Sequence, residues 1–159
     1  MKRPARSKTV KRSSHPRATP HAQTFHFECT GDPKEIAKVE PFLNKINEVA
    51  RLDDGTFYRL IVAGTEAINN GILHGSNSDP RKTVHVICIL EKDCLIFRVR
   101  DQGKGFKLED VPDPLEEKNL LKTNGRGIFL MRSLMDKVKY TITPEGSEVE
   151  LVIDFRHLH

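Results

Sequence analysis

Cysteine is scarce in this chain of 159 residues: Cys29, Cys88 and Cys94 are odd in number and show no C-x-x-C spacing. That argues against a disulfide framework, and with no signal peptide in view it points to reduced thiols and a cytoplasmic location. Long hydrophobic runs are also missing. The longest, Val86–Leu90 and Ile128–Met131, fall far short of the ~20 residues a spanning helix needs, so membrane spanning is excluded. Acid is absent from residues 1–24, which hold seven Lys or Arg and no aromatic side chain. Such a segment has nothing with which to form a core. Residues 1–23 are therefore expected as a disordered basic tail and residues 24–159 as the folded domain. Residues 25–159 carry 19 basic and 22 acidic side chains, so the formal charge of +4 belongs to the tail. A mildly acidic body argues against specific nucleic-acid binding.

Periodicity gives the organisation. Thr24–Thr30 alternates as an edge strand. From Asp32, apolar residues recur at helical spacing, with Pro33 in the first turn and Pro41 expected to kink or restart the helix. Asp53-Asp54-Gly55 reads as a turn before a second helix, Thr56 to Leu73. After a loop at Gly75–Pro80, Thr83–Glu91 and Cys94–Arg100 pair as antiparallel strands. Asp101–Asn124 is long for a connection. A helix from Arg126 to Met135 and a hairpin of Val138–Thr143 with Glu148–Phe155 complete the chain. This order predicts an α+β two-layer sandwich: a mixed, mostly antiparallel sheet with helices on one face.

Three clusters carry residues suited to chemistry. On the second helix, Glu66, Asn70 and His74 stand four apart and share a face. A carboxylate and an amide oxygen suit Mg²⁺, which takes hard oxygen ligands, although an exposed polar stripe has the same spacing. Directly after a strand comes Asp101-Gln102-Gly103-Lys104-Gly105, either a plain turn or a place where backbone approaches a ligand closely. Gly125-Arg126-Gly127 opens a helix, where unpaired N–H groups at the positive end of the dipole favour anions. No Walker A, Rossmann, HRD or DFG signature is present. A nucleotide here would be held another way.

Taken together and in this order, the three clusters resemble the GHKL (Bergerat-fold) ATP-binding superfamily. Within it they are similar to the stand-alone anti-sigma-factor serine kinases. Glu66–Gly75 resembles the N box, Asp101–Gly105 the D-x-G-x-G box, and Gly125–Gly127 the second glycine box. PDPLEEKNLLKTNGRGIFLMRSLMD, residues 112–136, is especially like that group. The resemblance implies ATP and Mg²⁺ as cofactors. It implies Glu66 as the general base, Asn70 as the Mg²⁺ ligand, and Asp101 as the acceptor for the adenine amino group. Gly103 and Gly105 would shape the pocket, residues 107–124 would form a lid, and Gly125 and Gly127 would lie at the phosphates, with Arg126 between them contacting phosphate or facing a partner. Gly146-Ser147 stands where the family has a late small-residue motif, without its Thr.

The partners implied are a STAS-like anti-anti-sigma protein phosphorylated on serine and a sigma factor, and a homodimer is compatible with the resemblance. A nucleotide-gated binding module with little or no kinase activity is the alternative reading. His74 fits a cap or packing role as well as an assisting one.

Overall fold

The computed structural model describes residues 22–103 and 123–158, and of residues 123–125 the backbone only. Strand β1 (Gln23–Thr30) opens the sheet, and a 3₁₀ segment (Pro33–Lys38) leads into helix α1 (Val39–Ala50). Helix α2 (Asp54–Asn70) runs into a single π-type turn (Gly71–Gly75). Strands β2 (Thr83–Leu90) and β3 (Cys94–Asp101) come next, then α3 (Thr123–Leu134), β4 (Lys137–Thr143) and β5 (Gly146–Asp154).

The strands form one sheet in the order β1-β2-β3-β5-β4. Every pair among them is antiparallel, so no parallel pairing of the expected mixed sheet occurs among the described residues. One face is dry: Val84, Val86, Cys88, Leu95, Phe97, Val99, Val149, Leu151 and Ile153 are buried against Leu43, Ile46, Leu60, Ile68 and Met131 of the helices. Period-2 alternation puts His85, Arg98, Arg100, Glu148 and Glu150 on the opposite face. There Arg98–Glu150 and Arg100–Glu148 pair across strands at 2.7 and 2.9 Å. Burial pushes the Cys29 thiol up to about 11 and the Cys88 thiol up to about 12, which keeps both neutral in the core.

Local chemistry sets the helix boundaries. Asp32 caps the 3₁₀ segment through the Lys34 N–H, 2.9 Å away. The chain restarts at Val39, so Pro41 falls in the first turn of α1, where its missing N–H costs no hydrogen bond. Asp53 is a cap rather than part of a free turn: its carboxylate accepts from the Thr56 N–H at 2.9 Å and hydroxyl at 2.7 Å.

Helices α2 and α3 lie antiparallel. Arg59 donates through Nε to the Leu134 carbonyl at 2.6 Å and pairs with Asp136 at 3.1 Å. Asp136 in turn accepts from the Asp154 N–H at 2.7 Å, tying the end of α3 to α2 and the sheet. One end of each helix is thereby fixed, which determines what the other end faces.

Candidate nucleotide-binding cleft

Seven residues, about two helical turns, separate Arg59 from Glu66 on α2, and seven separate Leu134 from Gly127 on α3. The antiparallel register therefore brings the start of α3 onto Glu66 and Asn70. A methyl group on Gly127 would sit 2.8 Å from Glu66 Oε2 and 3.4 Å from Asn70 Nδ2, so Gly127 stands directly beside the polar ends of both side chains. Gly127 of α3 and the Glu66–Asn70 pair, far apart in sequence, meet at one point.

Beyond Asn70 the helix widens. Ser76 donates its N–H to Gly71 O at 2.7 Å, an i→i−5 bond, and Ser78 donates to Ile72 O at 3.0 Å. This π-type turn carries Gly75 onto the end of β3. Any side chain at Gly75 would overlap the Asp101 carboxyl, and one at Gly103 would overlap the Gly75 carbonyl. Asp101 itself is only 9% exposed. Its Oδ1 accepts from the Gly103 N–H at 2.8 Å and its Oδ2 from the Ser147 hydroxyl at 2.9 Å. The carboxylate is held from two sides by donors, a geometry that orients it as an acceptor.

Between the end of α2 and the sheet lies a small cleft lined by Ala67, Asn70, Gly71, His74, Gly75, Val99, Asp101, Tyr140, Ser147 and Val149. It has two chemically distinct parts. One is the buried acceptor Asp101 among apolar walls. The other is the polar edge at Asn70, which leads to Glu66 and the N-terminal turn of α3.

Of the residues singled out in the sequence, Asn70 and Asp101 line one cleft, and Gly103 and Gly127 pack against its functional groups. Arg126 is exposed on α3 and makes no ion pair among the described residues. Gly105 lies outside the described residues, as does most of the segment expected as a lid. Gly125 is described only as backbone within α3. His74 is exposed and borders the cleft. Two contributors went unassigned in the sequence, Gly75 as the neighbour of Asp101 and Tyr140 as a wall. The alternation Val138, Tyr140, Ile142 on β4 is the signal that places Tyr140 inward. Ser147 donates its hydroxyl to Asp101 and so orients it.

No helix among the described residues is long and apolar enough to cross a membrane. Comparison with known proteins matches residues 29–153 to the histidine kinase-like ATPase domain. The anti-sigma F factor of Anoxybacillus flavithermus is 32% identical over 120 residues, covering 74% of this chain and 75% of that protein. The anti-sigma F factor of Oceanobacillus iheyensis is 28% identical over 112 residues, 69% of each chain. Among solved structures, the RsbU and RsbW domains of Rv1364c from Mycobacterium tuberculosis share the fold. The TM-score is 0.59 at 13% identity, over 82% of this chain and 32% of that one. With the antiparallel sheet, the α2–α3 approach and the buried Asp101 in place, the chain belongs to the histidine kinase-like ATPase domain family and is a relative of the anti-sigma F factors.

Proposed function

We propose that the cleft binds ATP with Mg²⁺ and that the protein is an anti-sigma-type regulator, a kinase for a serine on a small STAS-like antagonist. The observation that carries this reading is the convergence of Glu66, Asn70 and Gly127 beside the cleft that Asp101 lines. A sigma factor is the second partner in this reading, as the names of the curated relatives suggest.

The base is selected at Asp101. Both carboxylate oxygens already accept one hydrogen bond and retain lone pairs, so the group presented to them must be a donor. The adenine amino group is one; the guanine carbonyl at the same place would face a negative acceptor. Among the described residues no group of three or more His, Cys, Asp or Glu stands ready to hold a metal ion. The donor set suits Mg²⁺ arriving with phosphates: the Asn70 amide oxygen would hold it together with phosphate oxygens, and it would offset their charge. At the other end, Gly127 of α3 stands beside Glu66 and Asn70, and the N-terminal end of that helix would add positive potential for phosphates.

Glu66 then has the role of base. Its carboxylate accepts the proton of the incoming serine hydroxyl as the serine oxygen bonds to the γ-phosphorus. The bond from that phosphorus to the bridging oxygen breaks, and ADP leaves with the electron pair. Positioning and charge compensation supply most of the acceleration, as in phosphoryl transfer generally.

The test is to incubate the purified chain with ATP radiolabelled at the γ-phosphate and each STAS-domain protein of its own cell. Label on a single serine of one of them, lost in Glu66→Gln, is the expected result. Nucleotide-dependent binding without label would instead establish a gated binding module, and neither outcome with any of them would overturn the regulator reading.

A further inference from the structure

The cleft wall opposite α2 carries an aromatic ring that the mechanism above leaves unused. Tyr140 pairs with Val149 on β5, and the register Val138–Leu151, Tyr140–Val149, Ile142–Ser147 turns these three β4 residues toward the helix layer. The ring is largely buried, its hydroxyl 4.0 Å from Met131 Sδ on α3, and it lines the same cleft as Asp101, Ser147 and Asn70. Ala67, Gly71, Val99 and Val149 supply only aliphatic surface there. Tyr140 is the single benzenoid ring among the described lining residues. Burial holds its phenol above the usual tyrosine range, so the group stays neutral and adds no charge to the wall.

Distance along the sheet fits the ring to a base. Ser147, which bonds Asp101, pairs with Ile142, two residues from Tyr140 on the same strand. Two residues of strand span ~7 Å, the reach of a two-ring base whose amino edge meets the carboxylate. The geometry points to Tyr140 as a specificity-determining residue of this cleft, its ring packing against the purine that Asp101 holds by the amino edge. The assignment rests on the nucleotide reading of the site. It makes affinity depend on an aromatic face at residue 140 through the base, independently of the phosphates.

The chain contains only two tyrosines, Tyr140 and Tyr58, and Tyr58 is 63% exposed on α2. Protein carrying ¹³C-labelled tyrosine rings therefore gives two sets of ring resonances, separable by a Tyr58→Phe variant. Titration with Mg·ADP should move the Tyr140 ring signals through the ring current of the base and leave those of Tyr58 in place. By calorimetry, Tyr140→Leu should lose about tenfold in ADP affinity and Tyr140→Phe less than about threefold, with tripolyphosphate binding equal in all three. ADP binding with unmoved Tyr140 signals, or full affinity in Tyr140→Leu, overturns the proposal and leaves the nucleotide reading standing. If the wild type fails to bind ADP, the nucleotide reading itself falls and takes the proposal with it. The wild-type spectra decide the matter even where the leucine variant does not fold.

Discussion

Replacing Gly75 by alanine sets two physical effects against each other, and they differ in sign. Gly75 closes a helical segment in an ordinary backbone conformation, so intrinsic propensity favours alanine by about 0.5–1 kcal/mol. Packing says the opposite. The added methyl would overlap the Asp101 carboxyl, a short side chain that cannot swing away without giving up its bonds to the Gly103 N–H and the Ser147 hydroxyl. Overpacking costs about 1–3 kcal/mol. Each hydrogen bond to the charged group is worth about 1.5–3 kcal/mol more. Even after the propensity gain, a net loss of about 3 kcal/mol remains. At roughly 4 °C per kcal/mol for a domain of this size, Tm should fall by about 12 °C. Differential scanning calorimetry of wild type, Gly75→Ala, Asp101→Ala and the double variant checks the cause as well as the size. In the Asp101→Ala background the Gly75 substitution should cost less than about 1 kcal/mol, because the clashing group is gone. A Gly75→Ala protein as stable as wild type, or an equal cost in both backgrounds, would refute the close packing of Gly75 on Asp101.

Glu66→Gln should retain ADP affinity while phosphoryl transfer, measured by label incorporation, falls by about 10²-fold or more. Arg59→Ala removes the donor to the Leu134 carbonyl and the pair to Asp136, and should lower unfolding free energy by about 1–2 kcal/mol in denaturant titration. The thiols of Cys29 and Cys88, raised to about 11 and about 12 from 9.0, contribute stability below pH 9 that is lost as pH rises toward those values. Melting curves between pH 8 and pH 11 should show a decline, which Cys88→Ala makes shallower. In native protein, iodoacetamide should label Cys94, the one cysteine not buried, before the other two.

Much of the fold was legible in the sequence because strand alternation and turn residues are local signals. β2 and β3 begin where Thr83 and Cys94 were expected, and the edge strand at Thr24 gains only Gln23. Helix boundaries were harder. Asp53-Asp54-Gly55 looks like a turn by composition, yet Asp53 caps and α2 starts at Asp54. A capping aspartate and a turn aspartate differ only in the conformation of the residues after them. The start of α3 at Thr123, ahead of the expected Arg126, has no strong local mark. The π-type turn at Gly71–Gly75 could not be read at all: it depends on Gly75 meeting Asp101 from another element. Asp101 and Asn70 were visible as residue types at telling positions, whereas the parts played by Gly75, Ser147 and Tyr140 arise only when β3, β4, β5 and the end of α2 are brought together.

In the proposed function a fixed acceptor, Asp101, makes this cleft an adenine site. Calorimetric titration of the wild type with ATP and with GTP in Mg²⁺, alongside Asp101→Asn, puts that assignment to the test. ATP should bind, GTP should bind at least about tenfold more weakly, and Asp101→Asn should lose most of its ATP affinity. Equal affinity for ATP and GTP, or an Asp101→Asn protein that binds ATP like the wild type, would contradict the role given to Asp101.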